Sequence, residues 1–500
     1  MLNRRHFLSA TGASLALTAM KKPPTSGSIK PNIVFISVDD LNDWISPLSH
    51  TDGKSSGYPG VQTPNLQFLA DRGTCFRSAY AHVPACSPSR TSLLLGVSAD
   101  KTGVYYNGQR WEDAKIQNKR TLFDHFQSHG WKTTGLGKLF HGDVHSGLDE
   151  QFNYREKNCE SEAEIRRLAP LRANSAKNSK YVFGKEMGDC HWSYKADELH
   201  TDKTRELIES QFSSGGNFVG LGLSATHLPW IAPKKFYDIY EGQDLPLPPG
   251  FFPNAKTIGD NVADINDLPK WGKKLITSSN YRKRLSNIEV YQDLLRSYLG
   301  NISFVDDCIG KVVKSLESQN LLDNTYFVIW SDHGMSLGEK LSFKKFTLWE
   351  RALRVPFIIC GPGIQKQVVD DPVSLLDIYP TLSSLLGLPV PPACNGRDLS
   401  ATLTTGRKII DPQAIAIYGR GASSLPQDDL LSVKVHTQEW NYIKHPNGDG
   451  ELYHRRDDPH EWYNLFASEK KYQSDAPLIQ SLASKMPTQL QKPKTKYRSS

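Results

Sequence analysis

The sequence predicts an α/β fold: a large mixed, mainly parallel sheet flanked by helices, with a smaller antiparallel-sheet subdomain near the C-terminus. Four nearly continuous apolar runs are separated by helical patterns, as expected for strands that are covered on both faces. Each of these runs ends in a polar cluster. Beyond residue 410 the apolar runs become short and half polar, and strong turn signals separate them.

The predicted elements alternate along the chain in the order typical of an α/β domain. An amphipathic helix at 122–129 precedes the second strand, and a long helical pattern at 288–319 precedes the fourth. The predicted strands of the main sheet are 32–38, 131–136, 218–223 and 326–330. The C-terminal region is predicted to hold strands at 431–436, 440–444 and 451–453 and a terminal helix at 476–484.

Polar residues follow each of the four main strands at the point where the strand ends. Open α/β sheets bind their ligands in the crevice at the carboxyl ends of the strands, so residues distant in sequence are expected to converge there. This convergence is the main physical reason to predict an enzyme. The residues concerned are Asp39 and Asp40, Lys138, His227, and Asp332 and His333.

Length and charge exclude some function classes. A chain of 500 residues with 38% hydrophobic content can bury one large core and favours two packed units. The formal net charge is +7, but the first thirty residues carry five basic residues and no acidic one, so the remainder is close to neutral. The sequence has no basic stripe for a polyanion backbone, and no nucleic-acid partner is predicted.

The N-terminus is similar to a twin-arginine export signal. Arg4 and Arg5 precede Phe7-Leu8 and a short, weakly apolar stretch. The alternative is a disordered tail that contains two arginines. The stretch is too short to span a bilayer, and no later segment is long and apolar enough, so no stable membrane insertion is expected. The prediction is an exported protein, periplasmic or extracellular, carried by the twin-arginine export machinery.

These observations divide the chain into four predicted parts. Residues 1–27 form the export signal and a spacer, and residues 28–410 form the catalytic domain. Residues 411–485 form the C-terminal α+β subdomain. Residues 486–500 form a basic, disordered tail without apolar periodicity.

The seven cysteines are scattered and include no Cys-x-x-Cys pair. In an exported chain Cys159 could pair with Cys190, although the sequence does not determine connectivity. Cys86 differs from the others in its surroundings, since Ser87 is a good helix N-cap and Gly96 suits the end of the same helix. A helix N-terminus at Cys86 would favour anions, with Arg90 one turn further on. The alternative is a buried structural cysteine.

Here the sequence resembles a known family. Cys86-Ser87-Pro88-Ser89-Arg90 matches the Cys-x-Pro-x-Arg signature that sulfatases, of the alkaline-phosphatase-like superfamily, present for oxidation of the cysteine to Cα-formylglycine. The resemblance extends in order along nearly the whole chain after the leader, and the pattern is most similar to the iduronate-2-sulfatases. The further matching segments are Val38-Asp39-Asp40, Thr63-Pro64-Asn65-Leu66, Gly137-Lys138-Leu139-Phe140-His141, Ser331-Asp332-His333-Gly334, and Lys345 with the residues that follow it.

The resemblance implies hydrolysis of sulfate monoesters, on a sulfated sugar or polysaccharide, by a formylglycine hydrate and one Ca²⁺ ion. It also implies a modifying partner, the formylglycine-generating enzyme, and a sulfated saccharide substrate. The implied metal ligands are Asp39, Asp40, modified Cys86, Asp332 and His333. The implied catalytic residues are Cys86, Arg90, Lys138, His141, His227 and Lys345. Of these, Arg90, Lys138 and Lys345 would hold sulfate oxygens, His141 would assist turnover of formylglycine, and His227 would protonate the leaving sugar oxygen.

Some points stay open at this stage. Lys344 is the alternative to Lys345, and Ser224 stands where the family pattern usually has a first histidine, which weakens any transfer of substrate specificity. The rival enzyme function is a phosphonate monoester or phosphodiester hydrolase of the same superfamily. The rival from another class is a non-catalytic protein that binds sulfated glycans. The neighbouring acids Asp306 and Asp307 are predicted to lie on the solvated face of a helix.

Overall fold

The computed structural model describes residues 29–49, 57–142, 145–153, 194–228, 230–276, 288–419, 431–473 and 476–492. The predicted export signal at 1–27 and the suggested Cys159–Cys190 pair lie outside the described residues. No helix among the residues just specified combines the length and the apolar character that crossing a membrane requires.

The strands of the described chain are numbered in sequence order. They are β1 (Asn32–Val38), β2 (Gly73–Phe76), β3 (Ala79–Tyr80), β4 (Lys132–Gly137), β5 (Glu150–Phe152), β6 (Asn217–Leu223), β7 (Thr325–Ser331), β8 (Ser336–Leu337), β9 (Phe343–Lys344), β10 (Phe357–Cys360), β11 (Gln367–Val369), β12 (Val373–Ser374), β13 (Ala414–Tyr418), β14 (Ser432–His436), β15 (Trp440–Lys444) and β16 (Gly450–His454). The α-helices are Pro64–Ala70, Cys86–Leu95, Ala99–Thr102, Leu122–Ser128, Tyr194–Gln211, Lys234–Asp238, Lys270–Leu275, Ile288–Ser318, Glu350–Leu353, Ile378–Leu385, Ser400–Thr405, Leu465–Ser468 and Pro477–Ser484.

Eight strands form the main sheet in the order β11-β2-β10-β7-β1-β6-β4-β5. Strands β7, β1, β6, β4 and β5 run parallel to one another, whereas β10 runs antiparallel to both of its neighbours, β7 and β2. The four predicted strands are β1, β4, β6 and β7, with ends that differ from the prediction by no more than one residue. The predicted fold class, a mainly parallel sheet flanked by helices, is therefore confirmed.

Strand β1 lies at the centre of the sheet, and its side chains alternate between two apolar cores. Val34 and Ile36 belong to one core, which also contains the apolar face of the long helix Ile288–Ser318. Phe35 points to the other core, where it meets the helices Cys86–Leu95 and Leu122–Ser128. Because helices cover both faces, every residue of β1 is buried, which explains its continuous apolar sequence.

The second sheet is antiparallel and has the order β13-β14-β15-β16. Its apolar side chains form a third core with the helix Pro477–Ser484 and with side chains of the first unit, including Leu348 and Leu353. The predicted small antiparallel sheet and terminal helix are confirmed. The predicted domain boundaries themselves stay predictions.

Two local expectations are wrong. The helix Cys86–Leu95 begins at Cys86, and its N-cap is Ala85 rather than Ser87. The Ser89 N–H bonds the Ala85 carbonyl, so the first turn starts earlier, and the Ser87 hydroxyl instead donates to the Gln109 carbonyl. The predicted end is confirmed, since Gly96 adopts φ +64° directly after Leu95.

The second error concerns Asp306, which is 2% exposed rather than solvated. Its carboxylate accepts hydrogen bonds from the backbone N–H groups of Asn65, at 3.1 Å, and Leu66, at 2.8 Å. These are first-turn donors of the helix Pro64–Ala70, so Asp306 satisfies them from the long helix. The partners are about 240 positions away in sequence, so local periodicity did not reveal them.

Candidate active site

The ten predicted site residues meet at the carboxyl edge of the main sheet. Asp39 and Asp40 follow β1, Lys138 follows β4, His227 follows β6, and Asp332 follows β7. This is the convergence expected for parallel strands. The other residues approach from outside those strands: Cys86 begins its helix, Arg90 lies one turn along it, His141 follows Lys138, His333 follows Asp332, and Lys345 follows β9.

Cys86 lies at the centre of the cluster and is 1% exposed. Its Sγ atom is 3.0 Å from Lys345 Nζ, 3.2 Å from His333 Nε2 and 4.0 Å from Asp40 Oδ1. The position at a helix N-terminus adds backbone N–H groups that favour negative charge at this point. An anion or a polarised oxygen attached at residue 86 would therefore be stabilised from several sides.

Arg90 binds the carboxylates of the site. Its Nε donates to Asp332 Oδ2 at 2.9 Å, and its Nη2 donates to Asp39 Oδ1 at 3.3 Å. Its Nη1 donates to the carbonyls of Lys138 and Leu139. The guanidinium thus ties the ends of β1, β4 and β7 together. The predicted contact of Arg90 with sulfate oxygens stays a prediction.

The two aspartates after β1 are held in different ways. Asp39 Oδ2 accepts from Lys138 Nζ at 2.6 Å, and its backbone carbonyl accepts from the Thr226 hydroxyl. Asp40 adopts φ +59°, and its backbone carbonyl accepts a hydrogen bond from Tyr298 Oη at 2.8 Å. Both carboxylates are buried, which disfavours their ionised form, but the surrounding cations outweigh burial and lower the pKa of Asp39 well below its ordinary value and that of Asp40 less strongly.

His333 presents Nε2 to the site because its Nδ1 donates to the Gly334 carbonyl at 2.9 Å. Nε2 lies 3.2 Å from Asp40 Oδ1 and 3.7 Å from Asp332 Oδ1. Burial disfavours the charged imidazole, but the neighbouring Asp332 and Cys86 outweigh this effect and raise the pKa of His333 to about 9.

His227 and His141 lie at the more open side of the cluster. His227 Nδ1 donates to the Leu228 carbonyl at 2.6 Å, and its Nε2 is 3.9 Å from Asp40 Oδ2. The His227 side chain is 14% exposed, more than the carboxylates behind it. Burial and the nearby Lys138 ammonium lower the pKa of His141 to about 3, so its imidazole is neutral at ordinary pH.

Lys345 brings its ammonium to Cys86 and Asp40. Lys345 Nζ is 2.8 Å from Asp40 Oδ1 and contacts Cys86, and the residue is 5% exposed. Lys344 is half-buried and belongs to the two-residue strand β9. Lys344 adopts φ +70°, in the left-handed region, so the backbone changes direction between the two lysines.

The carboxylates and His333 fit a divalent cation. Ligand atoms of Asp39, Cys86, Asp332 and His333 lie within 4.8 Å of one another, and Asp39, Asp40 and His227 form an overlapping group with the same spacing. Three buried carboxylates supply the hard oxygen donors that Ca²⁺ prefers. Their charge is balanced by Arg90, Lys138 and Lys345. An added divalent cation would therefore leave the site positive and attractive to an anionic group.

Three supporting residues were missed from the sequence. Thr226 and Tyr298 hold the backbones of Asp39 and Asp40, and Asp197 accepts the backbone N–H groups of Ser224 and Ala225. Thr226 could have been suspected from its place beside His227. Tyr298 and Asp197 lie in helices with no motif around them, so the sequence contained no signal for either.

The fold and the site together define a class of hydrolase, and the comparisons identify the family. The sequence profile of the sulfatase family matches residues 31–388, so the chain belongs to the sulfatase family. It is a sulfuric ester hydrolase, as the resemblance of its motifs implied.

Two relatives and one solved structure illustrate the similarity. A sulfatase of Formosa agariphila is 29% identical over 500 residues, which cover 97% of this chain and 92% of the relative. The iduronate 2-sulfatase of Mus musculus is 26% identical over 406 residues, covering 73% of this chain and 70% of the relative. The crystal structure of a phosphonate monoester hydrolase of Agrobacterium radiobacter superposes with a TM-score of 0.71 at 18% identity, covering 91% and 94% of the two chains, and shows a shared fold.

Proposed function

We propose that this sulfatase removes O-sulfate groups from a sulfated saccharide, using an aldehyde hydrate made from Cys86 together with a bound Ca²⁺ ion. The observation that carries the proposal is the position of Cys86: its Sγ lies at a helix N-terminus, 3.0 Å from Lys345 Nζ and 3.2 Å from His333 Nε2. In the mature enzyme an oxygen on the same Cβ would replace that sulfur. The Cys86 thiol therefore stands in for the attacking hydroxyl.

Modification of Cys86 comes first and requires a partner, the formylglycine-generating enzyme. The Cβ carbon is oxidised by two electrons from the thiol to the aldehyde level, with water supplying the aldehyde oxygen. Sulfur leaves as hydrogen sulfide, and dioxygen brought by the modifying enzyme accepts the electrons. In the folded chain Cys86 is 1% exposed, so modification is expected before folding.

Hydrolysis then proceeds at the hydrated aldehyde. One hydroxyl of the hydrate attacks sulfur, and the bond from sulfur to the sugar oxygen breaks. His227, the more exposed histidine beside Asp40, protonates the departing oxygen. The second hydroxyl of residue 86 then loses its proton, the aldehyde reforms, and sulfate leaves with its bonding electron pair. Water regenerates the hydrate, so no water molecule has to attack the sulfated enzyme.

The surrounding side chains provide charge and orientation. The Lys345 ammonium lies beside Cys86, and the Lys138 ammonium lies beside Asp39. Both are therefore placed to stabilise negative charge on the sulfate oxygens. Arg90 holds Asp39 and Asp332 in register. His141 is proposed to assist turnover of residue 86, and because burial lowers the pKa of its imidazole to about 3, it acts as a neutral hydrogen-bonding group.

Asp39, Asp40, Asp332 and His333 would hold the calcium ion, which supplies Lewis-acid polarisation of the oxygen on residue 86 and of the sulfate. A readout independent of activity tests this assignment. Added calcium should raise the melting temperature of the wild-type protein, since a ligand of the native state stabilises it. The Asp332→Asn variant should show no such rise, whereas Asp323→Asn, at an exposed surface carboxylate, should respond like the wild type.

The substrate class rests on relatives rather than on the site. The mouse relative is an iduronate 2-sulfatase, and the motif after Gly137 matches that group. Ser224 in place of a histidine argues against carrying over its particular sugar, so the proposal stops at a sulfated saccharide. Phosphonate monoesters and phosphodiesters are the second candidate, because a phosphonate monoester hydrolase shares this fold. A glycan-binding protein without catalysis is disfavoured by the complete set of charged residues around Cys86.

The decisive experiment measures turnover of defined sulfated disaccharides, an aryl sulfate, a phosphodiester and a phosphonate monoester by the purified protein. Release of sulfate from at least one disaccharide, absent in Cys86→Ala, is the expected result. Mass analysis of the peptide containing residue 86 should reveal the aldehyde. An unmodified thiol in an inactive protein would support the glycan-binding alternative, and faster turnover of the phosphorus esters would support the second candidate.

Export is proposed from the N-terminal sequence, with the twin-arginine machinery as partner and the periplasm or the exterior as destination. That route carries folded proteins, so the aldehyde should form before export. Protein retained in the cytoplasm by an Arg4→Lys, Arg5→Lys variant should already carry the modification. Modification confined to the exported pool would contradict this order.

A further inference from the structure

A buried carboxyl group outside the predicted site accepts two backbone hydrogen bonds from the loop that carries His227. Asp197 lies in the helix Tyr194–Gln211 and is 1% exposed. Its Oδ2 accepts the N–H of Ser224 at 2.7 Å and the N–H of Ala225 at 2.8 Å. One oxygen that accepts two adjacent backbone donors determines where the chain can turn as it leaves β6.

The turn that begins at these two amides ends at His227. The His227 N–H donates to the Ser224 carbonyl at 2.9 Å, which closes the turn. Two further bonds hold its middle: the Thr226 hydroxyl donates to the Asp39 carbonyl, and Trp230 Nε1 donates to the Thr226 carbonyl at 2.7 Å. Asp197 is the one carboxylic acid side chain among these contacts; burial raises its pKa to about 7, while the two N–H donors favour its ionised form.

The direction of the His227 ring depends on this turn. Its Nδ1 is engaged with the Leu228 carbonyl at 2.6 Å, which leaves Nε2 facing the site, 3.9 Å from Asp40 Oδ2. A proton donor must lie within hydrogen-bond reach of the departing oxygen, and a misplacement of about 1 Å can cost about 100-fold in rate. A small shift of the turn would therefore change protonation more than attack.

We infer that Asp197 is a positioning residue for leaving-group protonation: it holds the 224–227 turn so that His227 Nε2 meets the departing sugar oxygen. The inference rests on the proposed role of His227 as proton donor. In this role Asp197 does not contact the substrate. A positioning role and a purely structural role predict different effects on different substrates. A structural defect slows every substrate, whereas a misplaced proton donor slows those whose leaving group needs a proton.

Leaving-group dependence tests the inference. Asp197→Asn keeps the size and one acceptor oxygen but cannot ionise, so the Ser224 and Ala225 N–H groups lose the carboxylate as their acceptor. We expect kcat for a sulfated disaccharide to fall about 10- to 100-fold, and kcat for 4-nitrophenyl sulfate, whose leaving group needs no proton, to fall less than about 3-fold. Asp202→Asn is the matched control on the same helix, where Asp202 is 57% exposed, and it should leave both rates unchanged.

A double variant separates this inference from the proposal beneath it. If Asp197 acts through His227, adding Asp197→Asn to His227→Ala should cause no further loss on the disaccharide. Equal losses on both substrates from Asp197→Asn, or additive losses in the double variant, would overturn the inference. An absence of leaving-group dependence in His227→Ala would instead overturn the role of His227. If circular dichroism shows that Asp197→Asn does not fold, the same two substrates are compared with Asp197→Ser.

Discussion

At the scale of single residues, the site is a set of compensated buried charges. Asp39, Asp40 and Asp332 are each 2% exposed or less, and the cationic groups of Arg90, Lys138 and Lys345 lie within 3.3 Å of their oxygens. A buried charge is costly without a partner, so these side chains depend on one another. Each substitution therefore changes both the charge that a substrate would meet and the order of the remaining side chains.

Lys345 and Lys344 provide a matched test of this arrangement. Lys345→Met removes the ammonium 3.0 Å from Cys86 Sγ, and we expect kcat/KM for the sulfate ester to fall by about 100- to 1,000-fold, since preorganised charge is lost at the reacting centre. Lys344→Met should change it less than about 3-fold. Steady-state kinetics, with thermal melting to confirm folding, measure both. Equal losses in the two variants would show that the neighbouring ammonium also serves the reaction.

At the scale of elements, side chains on the long helix Ile288–Ser318 complete distant turns. Asp306 accepts the first-turn donors of the helix Pro64–Ala70, and Tyr298 holds the Asp40 carbonyl. The helix packs against the sheet with apolar side chains and carries these polar groups among them. A buried acceptor that satisfies several donors contributes more to the free energy of unfolding than an exposed neighbour does, because its removal leaves those donors unpaired.

Asp306 and Asp307 test this contribution at adjacent positions. Asp306→Ala should lower the free energy of unfolding by about 1–3 kcal/mol, because two backbone N–H groups lose their acceptor in the interior. Asp307 is 35% exposed and pairs with Lys311, so Asp307→Ala should cost less than about 0.5 kcal/mol. Urea unfolding monitored by circular dichroism compares the two. A smaller effect at 306 than at 307 would contradict the capping role.

At the scale of the whole molecule, the C-terminal sheet holds the segment that follows Lys345. Glu350 accepts from Asn441 Nδ2 at 2.8 Å, and its carboxylate is 3.6 Å from Lys434 Nζ. Trp349 Nε1 donates to Glu451 at 2.9 Å. The contact between the two units is thus polar as well as apolar, and it lies a few residues from Lys345. The second sheet is expected to be necessary for an ordered site.

Removal of Lys434 tests that expectation. Lys434 is 0% exposed and contacts both Glu350 and Glu461, so Lys434→Met removes the cation paired with buried Glu461 and one of the cations beside Glu350. The free energy of unfolding should fall by about 3–5 kcal/mol, the usual cost of breaking a buried pair from one side. Lys444→Met, at an exposed end of the same sheet, should be nearly neutral. In Lys434→Met the melting temperature and the rate of sulfate ester hydrolysis should both fall. Unchanged values would contradict the expectation that the second sheet supports the site.

Much of the fold and the site could be predicted because local signals were strong. Continuous apolar runs predicted β1, β4, β6 and β7, and the residues after each strand converge because parallel strands share one carboxyl edge. The resemblance of the segments at Cys86 and Lys345 to the sulfatase pattern predicted which further side chains meet. The failures were local patterns overruled by distant partners. Ser87 bonds the Gln109 carbonyl instead of capping its helix, and Asp306 turns inward toward Asn65.

The sequence by itself determined the family, the four strands that polar residues follow, and which kinds of side chain surround Cys86. These features depend on residue identity and on short-range periodicity. Only the tertiary structure decided which partners each charge has: Arg90 with Asp39 and Asp332, and Asp197 with the turn before His227. Those pairs join residues that are 27 to 242 positions apart. Their geometry follows from the packing of whole elements, and no window of sequence contains it.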